Sequence, residues 1–302
     1  MADIRNDEVG IFLARELETI LARSFEVEYA DIKYSQLIPI STEVGPGADS
    51  YTYRVFDKQG SMKIIQDKAQ DLPRADVLRK EVTHNVRSLG ASFAYTIQET
   101  RAAAMVPNMN LEQRRANAVR RVYEEKVQEI AYFGDTATGL KGFFNNDQVD
   151  KIVPNKWFDD ASITTDEMLQ LLNEPATRLV EGSNMKEQPN TMLVPYEVYR
   201  IISTTPRSST SDTTVMEFFL RTNPMITSIE PINELEASKG QLSKDRIVTY
   251  DRSPDKLQLH IPQPLEFLPP VRQQLEFSVA AHSRIGGCAV YYPKSIIMME
   301  KA

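Results

Sequence analysis

Apolar residues recur at three- and four-residue intervals over residues 111–133, the longest periodic stretch in the chain. The positions are Leu111, Val119, Val122, Tyr123, Val127, Ile130 and Phe133. This spacing predicts an amphipathic helix with a narrow apolar face. Asn110 and Gln113 stand at capping-box positions, and Gly134 favours a left-handed stop. Because charged residues cover the remaining surface, we expect the helix to be half exposed in the monomer or covered by other subunits.

A second helical pattern lies at the N-terminus, over residues 9–24. Its apolar face consists of Val9, Phe12, Leu13, Leu17, Ile20 and Leu21. The stretch that follows is predicted to be extended, because it contains Pro39, Gly45, Pro46 and Gly47. Two interpretations are open here: the helix packs on its own domain, or it forms an arm on a neighbouring subunit.

Residues 50–99 are predicted to be extended, beginning with a strand in which Tyr51, Tyr53 and Val55 alternate with more polar positions at the two-residue period. A turn is predicted over residues 57–61, where Gly60 is available for positive φ, and residues 62–65 are expected to pair back. Further strands are predicted over residues 77–86 and 91–97. The region has few large aliphatic side chains, and an isolated two-stranded ribbon is marginal in water. We therefore expect a projecting β-ribbon that other subunits support.

From residue 151 onward the sequence has the pattern of a compact α/β domain. Earlier in the chain, a short helix is predicted at 100–106, and Pro107 stops it. Thr165 is predicted to cap a helix over residues 166–180, which Pro175 breaks or kinks. Two more helices are predicted at 195–202 and 215–221. Strands are predicted at 191–194, 225–229, 246–250, 257–261, 265–267 and 295–299, with 273–281 and 287–292 as the last long pair.

The composition indicates one large or two moderate domains, since 302 residues with 41% hydrophobic content supply an ample core. A net charge of −7 argues against a general nucleic-acid binder, which needs clustered lysine and arginine, but not against a protein that encloses nucleic acid. The single cysteine, Cys288, excludes an internal disulfide and a cysteine metal site. The sequence shows no signal peptide and no apolar run of membrane-spanning length.

The turn over residues 134–141 imitates a phosphate-binding loop in the spacing of Gly134 and Gly139. Leu140 stands where such a loop has its lysine, no hydroxyl follows Lys141, and the turn follows a helix instead of a strand. A structural helix stop is therefore the better interpretation.

The remaining candidates for chemistry also favour structural roles. The three histidines, His84, His260 and His282, lack the spacing of metal ligands or of an acid–base pair. The carboxylate pairs Glu124–Glu125 and Asp159–Asp160 are interpreted as solvated faces or caps, Cys288 as a buried small hydrophobe, and Trp157 as core or interface. We predict no catalytic, cofactor-binding or metal-binding residue, and no cofactor.

Four arginines of the long helix, Arg114, Arg115, Arg120 and Arg121, could form a nucleic-acid patch. Glu124 and Glu125 lie four residues beyond Arg120 and Arg121, so pairing within the helix is the simpler interpretation. Direct contact with nucleic acid is the less favoured alternative.

Four stretches together resemble the major capsid proteins of tailed bacteriophages, whose fold of the HK-ninety-seven type also occurs in encapsulins. They are FLARELE at 12–18, LIPISTEVGPGADSYTYRVFDKQG at 37–60, the long helix with the glycine-rich turn that follows it, and SRIGGCAVYYPKSI at 283–296. The resemblance covers nearly the whole chain, and it depends on the order and spacing of the four stretches.

The resemblance implies an α+β phage major capsid fold with an N-terminal arm, an extended β-ribbon loop, a peripheral domain with a long spine helix, and an axial α/β domain. It divides the chain into an arm (1–49), an extended loop (50–99), a peripheral domain (100–150) with the spine helix at 111–133, an axial domain (151–287) and a C-terminal strand (288–302) that returns to the peripheral domain. Relatives often carry a scaffolding segment before the arm, and this sequence begins almost at the arm helix.

The function that the resemblance implies is self-assembly, through pentamers and hexamers, into an icosahedral capsid around phage double-stranded DNA. Scaffolding, portal and decoration proteins are the further partners it suggests, with assembly in the host bacterial cytoplasm and no membrane partner. Two alternatives stay open: an encapsulin-like compartment of the same fold, and an α/β enzyme with an unrecognised site in residues 151–302.

Overall fold

The computed structural model describes residues 31–64, 74–105, 111–208, 210 and 212–302. The predicted helix at 9–24 and the predicted N-cap Asn110 lie outside the described residues. The described helices are α1 (Tyr34–Leu37), α2 (Ile97–Ala104), α3 (Leu111–Phe133), α4 (Thr165–Gly182), α5 (Tyr196–Thr204) and α6 (Val215–Thr222).

The described strands form five sheets. The first eight are β1 (Ile40–Ser41), β2 (Ser50–Gln59), β3 (Asp76–Asn85), β4 (Arg87–Thr96), β5 (Gly134–Asp135), β6 (Leu140–Lys141), β7 (Asp150–Ile152) and β8 (Thr191–Val194). The others are β9 (Ser228–Pro231), β10 (Arg246–Tyr250), β11 (Leu257–His260), β12 (Gln263–Phe267), β13 (Val271–Gln273), β14 (Glu276–Ile285), β15 (Gly287–Val290) and β16 (Ile296–Glu300).

The largest sheet has five strands in the order β7-β16-β10-β8-β9 and is buried on both faces. Because strand side chains alternate in direction, its residues divide between two hydrophobic clusters. Residues on one face join the first cluster, namely Leu193, Val248, Tyr250, Ile296 and Met298. Residues on the other face join the second, namely Met192, Val194, Ile247, Ile297 and Met299. One sheet thus supports two cores.

The two cores use different partners for this shared sheet. The first contains the C-terminal half of α3, the aromatic residues Phe143 and Phe144, and the three-stranded sheet β1-β11-β15. The second contains the apolar faces of α4, α5 and α6 together with Trp157 and Phe158. The prediction that Trp157 is a core or interface residue is confirmed, since its ring is buried edge-on against Phe158.

Helix α4 begins and continues differently from the prediction. Its N-cap is Thr164, one residue earlier than predicted, because the Thr164 hydroxyl accepts from the Glu167 amide at 3.3 Å while the Glu167 carboxylate accepts from the Thr164 amide at 2.7 Å. The predicted break at Pro175 is wrong, because α4 continues through it. Pro175 removes one backbone donor, but the buried apolar face holds the helix together.

Strand pairing departs most from the prediction near the C-terminus. Residues 273–281 and 287–292 do not form a pair with each other: β14 pairs with β4 along its whole length, and β15 pairs with β11. Gly287 has φ +72°, which most L-residues avoid, and this turn passes the chain from one sheet to another. Residues 288–302 consequently contribute to two sheets, through β15 and β16.

Candidate assembly surfaces

Strands β2 and β3 form a two-stranded ribbon that stays in register for ten residues, from Ser50 opposite Asn85 to Gln59 opposite Asp76. At the usual rise per residue the ribbon is roughly 30 Å long. The predicted turn at 57–61 is therefore wrong, and so is the predicted pairing of residues 62–64, while residue 65 lies outside the described residues. The strand continues to Gln59, Gly60 has no positive φ, and the returning strand begins at Asp76.

The predicted extended loop at 50–99 combines two different structures. The ribbon itself ends at Asn85, whereas β4 belongs to the four-stranded sheet with β12, β13 and β14. Helix α2 starts at Ile97, three residues before the prediction, because Thr96 and Glu99 form a complete capping box.

The outer half of the ribbon exposes apolar side chains. Phe56, Val77 and Leu78 are each more than half exposed, and Met62 and Ile64 beyond β2 are fully exposed. Polar cross-strand pairs, such as Thr52 with Thr83 at 2.9 Å and Arg54 with Glu81 at 3.1 Å, contribute little in water. Clustered exposed apolar residues of this kind mark a surface that another molecule covers.

The opposite end of the ribbon, its root, is packed against the subunit. The Tyr51 ring lies 4.4 Å from the His260 ring and 5.2 Å from the His84 ring, and Tyr53 packs edge-on against Tyr291 at 4.9 Å. A side chain on Gly286 would come within 2.9 Å of the Tyr51 ring, so glycine permits this close packing. The root is therefore a defined attachment, and the exposed part begins beyond it.

Helix α3 has the predicted bounds 111–133, and its two halves differ in burial. Val127, Ile130 and Phe133 in the C-terminal half are buried in the first core, as predicted. Val122 is 58% exposed, contrary to its predicted place on the apolar face. The helix is thus covered at one end and partly open at the other.

Two apolar grooves run along the more open part of α3. One, of about 360 Å³, lies between Ala116 and the residues Phe93, Phe267 and Leu268 of the four-stranded sheet and its flank. The other, of about 400 Å³, is lined by Tyr123 together with Ile40, Ile261, Pro264 and Leu265. These grooves extend the uncovered surface of the helix.

The arginines of α3 have interaction partners within the subunit. Arg115 donates to the Ala94 carbonyl and pairs with Glu99 at 2.9 Å, which lowers the pKa of Glu99 to about 2 through that hydrogen bond and the Thr96 backbone bond. Arg121 pairs with Glu125 at 2.7 Å, as predicted. Arg120 instead lies over the Phe267 ring.

Arg120 and Glu124 depart from the predicted pairing. The Arg120 guanidinium is 5.6 Å from the centre of the Phe267 ring, and the Glu124 carboxylate accepts a hydrogen bond from the Tyr34 hydroxyl at 2.6 Å. The helix therefore fixes its charged residues mostly through contacts with its own subunit.

The glycine-rich turn after α3 is a small hairpin, β5–β6, and Gly134 has the predicted left-handed conformation with φ +71°. Asp135 accepts from the Ala137 amide at 3.0 Å and from the Thr138 hydroxyl at 2.8 Å. These hydrogen bonds, led by that of Thr138, lower the pKa of Asp135. A carboxylate thus occupies loop donors that a phosphate would need, which supports the structural interpretation of the turn.

The other candidate residues have structural surroundings. Cys288 is fully buried, which raises the pKa of its thiol. Asp159 pairs with Lys301 at 2.6 Å, and Asp160 accepts from the Ser162 amide at 2.8 Å. Within the described ranges, no three histidine, cysteine, aspartate or glutamate residues are arranged to hold a metal ion, and no helix is long and apolar enough to span a bilayer.

A family model described as "Major capsid protein" matches residues 60–301. The chain belongs to the major capsid protein family. It is accordingly a structural subunit of a capsid shell of a phage virion, and the family and fold are those of a structural protein, not of an enzyme. A search of curated proteins found no match.

Solved structures agree with the family. A chain from the capsid of Myoviridae phage XM1 is 21% identical, with a TM-score of 0.84, and the match covers 98% of this chain and 100% of that chain. A chain from the capsid of a native GTA particle is 12% identical, with a TM-score of 0.69 and coverage of 98% and 99%. A chain from a virus-like particle of Pyrococcus furiosus is 12% identical, with a TM-score of 0.55 and coverage of 88% and 91%. These likenesses confirm the predicted capsid fold.

The capsid protein also holds its C-terminal strand through charged residues for which the sequence carries no local signal. Arg246 on β10 is buried and bonds to Glu300 on β16 and to the Phe144 carbonyl, while Lys151 on β7 lies 3.1 Å from Glu300. Burial alone would raise the pKa of Glu300, but Lys151 and Arg246 outweigh it and lower the pKa. Only the register of three strands brings these residues together, so periodicity carries no signal for them.

Proposed function

We propose that copies of this capsid protein assemble through the outer half of the ribbon into pentamers and hexamers, which build an icosahedral shell around phage double-stranded DNA. The observation that carries the proposal is the ribbon itself. It is ten residue pairs long, attached at its root, and rich in exposed apolar residues at Phe56, Val77 and Leu78. Such a ribbon gains stability when a neighbouring copy covers it.

The division of the chain into shell parts belongs to the same proposal. Residues 1–49 serve as the arm, the ribbon as the overlapping loop, α3 as the spine of a peripheral domain, and residues 151–287 as the axial domain. The five-stranded sheet supports both cores, which favours a rigid subunit body from which the ribbon reaches a neighbour. The C-terminal strand β16 joins the two domains, because it presents residues to both cores.

DNA is enclosed without sequence-specific contacts in this proposal. The net charge of −7 disfavours tight phosphate binding, and Arg115, Arg120 and Arg121 have partners in their own subunit. Assembly takes place in the host bacterial cytoplasm, and the further partners are scaffolding, portal and decoration proteins.

Negative-stain electron microscopy of the purified full-length protein, concentrated in moderate salt, tests the proposal. Closed shells, or rings of five or six subunits, are the expected result. Uniform monomers, both alone and after co-expression with the neighbouring phage proteins, would contradict it. Nucleic-acid content is measured separately, on shells isolated from infected cells: shells that hold protein cargo and no DNA would favour an encapsulin-like compartment.

A matched pair of variants connects the shell to the ribbon. Leu78 on the ribbon is 51% exposed and Val153, outside it, is 57% exposed. We expect Leu78→Ser to raise the protein concentration needed for assembly, whereas Val153→Ser leaves it unchanged. Equal effects of the two variants on the concentration needed for assembly would mean that the ribbon is not part of the interface.

A further inference from the structure

Two of the three histidines meet at the root of the ribbon, although they are far apart in the sequence. His84 is on ribbon strand β3 and His260 is on β11 of the three-stranded sheet, and both rings contact Tyr51. Both side chains are more than nine-tenths buried. The contact between ribbon and subunit therefore passes through a layer of imidazole and phenol rings.

Both imidazoles are placed where only their neutral forms fit. Nε2 of His260 hydrogen-bonds the Tyr291 hydroxyl at 2.7 Å, but its Nδ1 and the Nε2 of His84 are buried with no hydrogen-bond partner among the described residues. Protonation makes both ring nitrogens of an imidazole donors. Each ring would then carry a charge and a buried donor without an acceptor, which is costly.

The surrounding groups reinforce this preference at His84. The other titratable groups that face the pair are Lys141, Glu43, Tyr51, Tyr53, Tyr291 and Cys288. The positive charge of Lys141 on β6 opposes a positive charge on His84, and each histidine opposes protonation of the other. Glu43 favours protonation of His260, although burial dominates there. Burial raises the pKa values of the tyrosines and of Cys288, so these groups stay neutral on acidification.

We propose that His84 and His260 form an acid-sensitive joint, which holds the ribbon root against the subunit at neutral pH and releases it on acidification. The joint follows from the subunit structure alone. Its consequence for the shell, a change in how the ribbon reaches the next copy, rests on the function proposed above.

The direction and size of the effect follow from proton linkage. Burial, followed by the charges of Lys141 and His260, lowers the pKa of His84 from 6.5 to about 4. An opened root exposes His84, so opening takes up a proton at any pH between these values, and the attachment weakens as pH falls from 6.5 toward 4. From His84 alone, the opening equilibrium at pH 5 should exceed that at pH 7.5 by about 30-fold. Burial also lowers the pKa of His260, which acts in the same direction.

Hydrogen exchange of the full-length protein, at a concentration where light scattering detects no shells, tests the joint. We expect the strand amides at the root, in residues 50–54 and 82–86, to lose protection by about 30-fold or more between pH 7.5 and pH 5, after correction for intrinsic exchange. The amides of β8 and β10 should keep their protection, which distinguishes local release from global unfolding.

A control variant, a double variant and two single variants separate the joint from a general effect of acid. His282, on β14 and outside the cluster, provides the matched control: His282→Gln should behave like the wild type. The double variant His84→Phe/His260→Gln keeps an aromatic ring on Tyr51 and a hydrogen-bonding group at Tyr291, and its loss of protection should fall below about 3-fold. If the double variant loses the protection of β8 and β10 at pH 7.5, it is globally destabilised, and the single variants His84→Phe and His260→Gln are measured instead. Each single variant should lose less root protection on acidification than the wild type.

Two results would overturn the joint: a wild-type root equally protected at pH 5 and pH 7.5, or an acid effect that persists unchanged without the two histidines. Because the experiment uses unassembled protein, it gives an answer whether or not shells form. A failure of the shell proposal would therefore be recognised separately, by electron microscopy at pH 7.5.

Discussion

The five-stranded sheet and the two-stranded ribbon are both built from strands with alternating side chains, but only the sheet is covered on both faces. Strand β10 is buried at all five positions, with alternate residues in two different cores. Ribbon strand β2 alternates between half-buried and exposed positions from Ser50 to Val55 and is exposed from Phe56 to Gln59. The same local pattern thus serves two purposes, and the tertiary surroundings decide which.

This difference separates the energy of folding from the energy of assembly. Residues of the sheet contribute to the stability of a single subunit, because their partners are in the same chain. Apolar residues of the outer ribbon contribute little until a second copy covers them. Variants in the sheet should therefore lower the stability of the single subunit, whereas variants in the outer ribbon should weaken assembly.

The largest effect is expected where the sheet holds a buried charge. Arg246→Met leaves Glu300 without its buried partner and the Phe144 carbonyl without a donor. We expect the free energy of unfolding to fall by about 3–5 kcal/mol, measured by urea denaturation of the unassembled subunit. The exposed ribbon pair of Arg54 and Glu81 supplies the control. Arg54→Met should change the free energy of unfolding by less than about 1 kcal/mol. Comparable losses in the two variants would erase the distinction between the regions.

Truncation of one leucine in the sheet and one in the ribbon compares the two regions through apolar packing alone. Leu193 on β8 is wholly buried, so Leu193→Ala should lower the free energy of unfolding by about 2–5 kcal/mol. Leu78→Ala on the ribbon should change it by at most about 0.5 kcal/mol in dilute subunits, while assembly weakens. Urea denaturation and light scattering on the same preparations give both quantities. A large folding defect for Leu78→Ala would indicate that the ribbon packs within its own subunit.

The glycine-rich turn that follows α3 should show an intermediate effect. Gly134 has φ +71°, and a side chain there would come within 2.6 Å of the Gly142 amide nitrogen. Gly134→Ala should therefore cost about 1–3 kcal/mol in urea denaturation. Gly182 ends α4 with open space around it, so Gly182→Ala should be neutral or stabilising by up to about 1 kcal/mol. An equal response of the two glycines would contradict the strain that φ imposes at Gly134.

The smallest expected effect is a change in pH dependence. The pKa of Glu300 is lowered in the folded subunit, so its ionised form contributes stability above its unfolded pKa, and that contribution disappears as pH falls through the folded value. Glu300→Gln should flatten the acid side of the stability profile below about pH 5, measured by thermal melting. Replacement of the exposed Glu81 by Gln should leave the acid side of the stability profile unchanged. If the Glu81 variant flattened the profile equally, Glu300 would have no special role in it.

Local signals in the sequence predicted the elements better than their partners. The bounds of α3, β8 and β10 were predicted correctly from apolar periodicity, and Gly134 from its place after the last helical turn. The Thr164 cap was missed by one residue because Thr164 and Thr165 are adjacent acceptable caps. Of the two alternatives predicted for Pro175, the break is wrong, because burial of the rest of the helix outweighs one lost hydrogen bond.

Pairing between distant strands was beyond local reasoning. The ribbon has no short turn between its strands, so nothing near Gly60 indicates that Asp76 starts the returning strand. Strand β14 pairs with β4 from far upstream, and Gly287 separates it from the strand that follows. The pairing of β3 with β2 and of β11 with β15 places His84 and His260, which is why the sequence indicated no more than structural roles for these histidines.

Cryo-electron microscopy of the assembled shell would show directly what covers the ribbon. We expect the outer half of the ribbon to lie on a neighbouring copy, with Phe56, Val77 and Leu78 buried in the contact. A ribbon whose outer half points into solvent, or folds back on its own subunit, would mean that the ribbon is not the assembly contact.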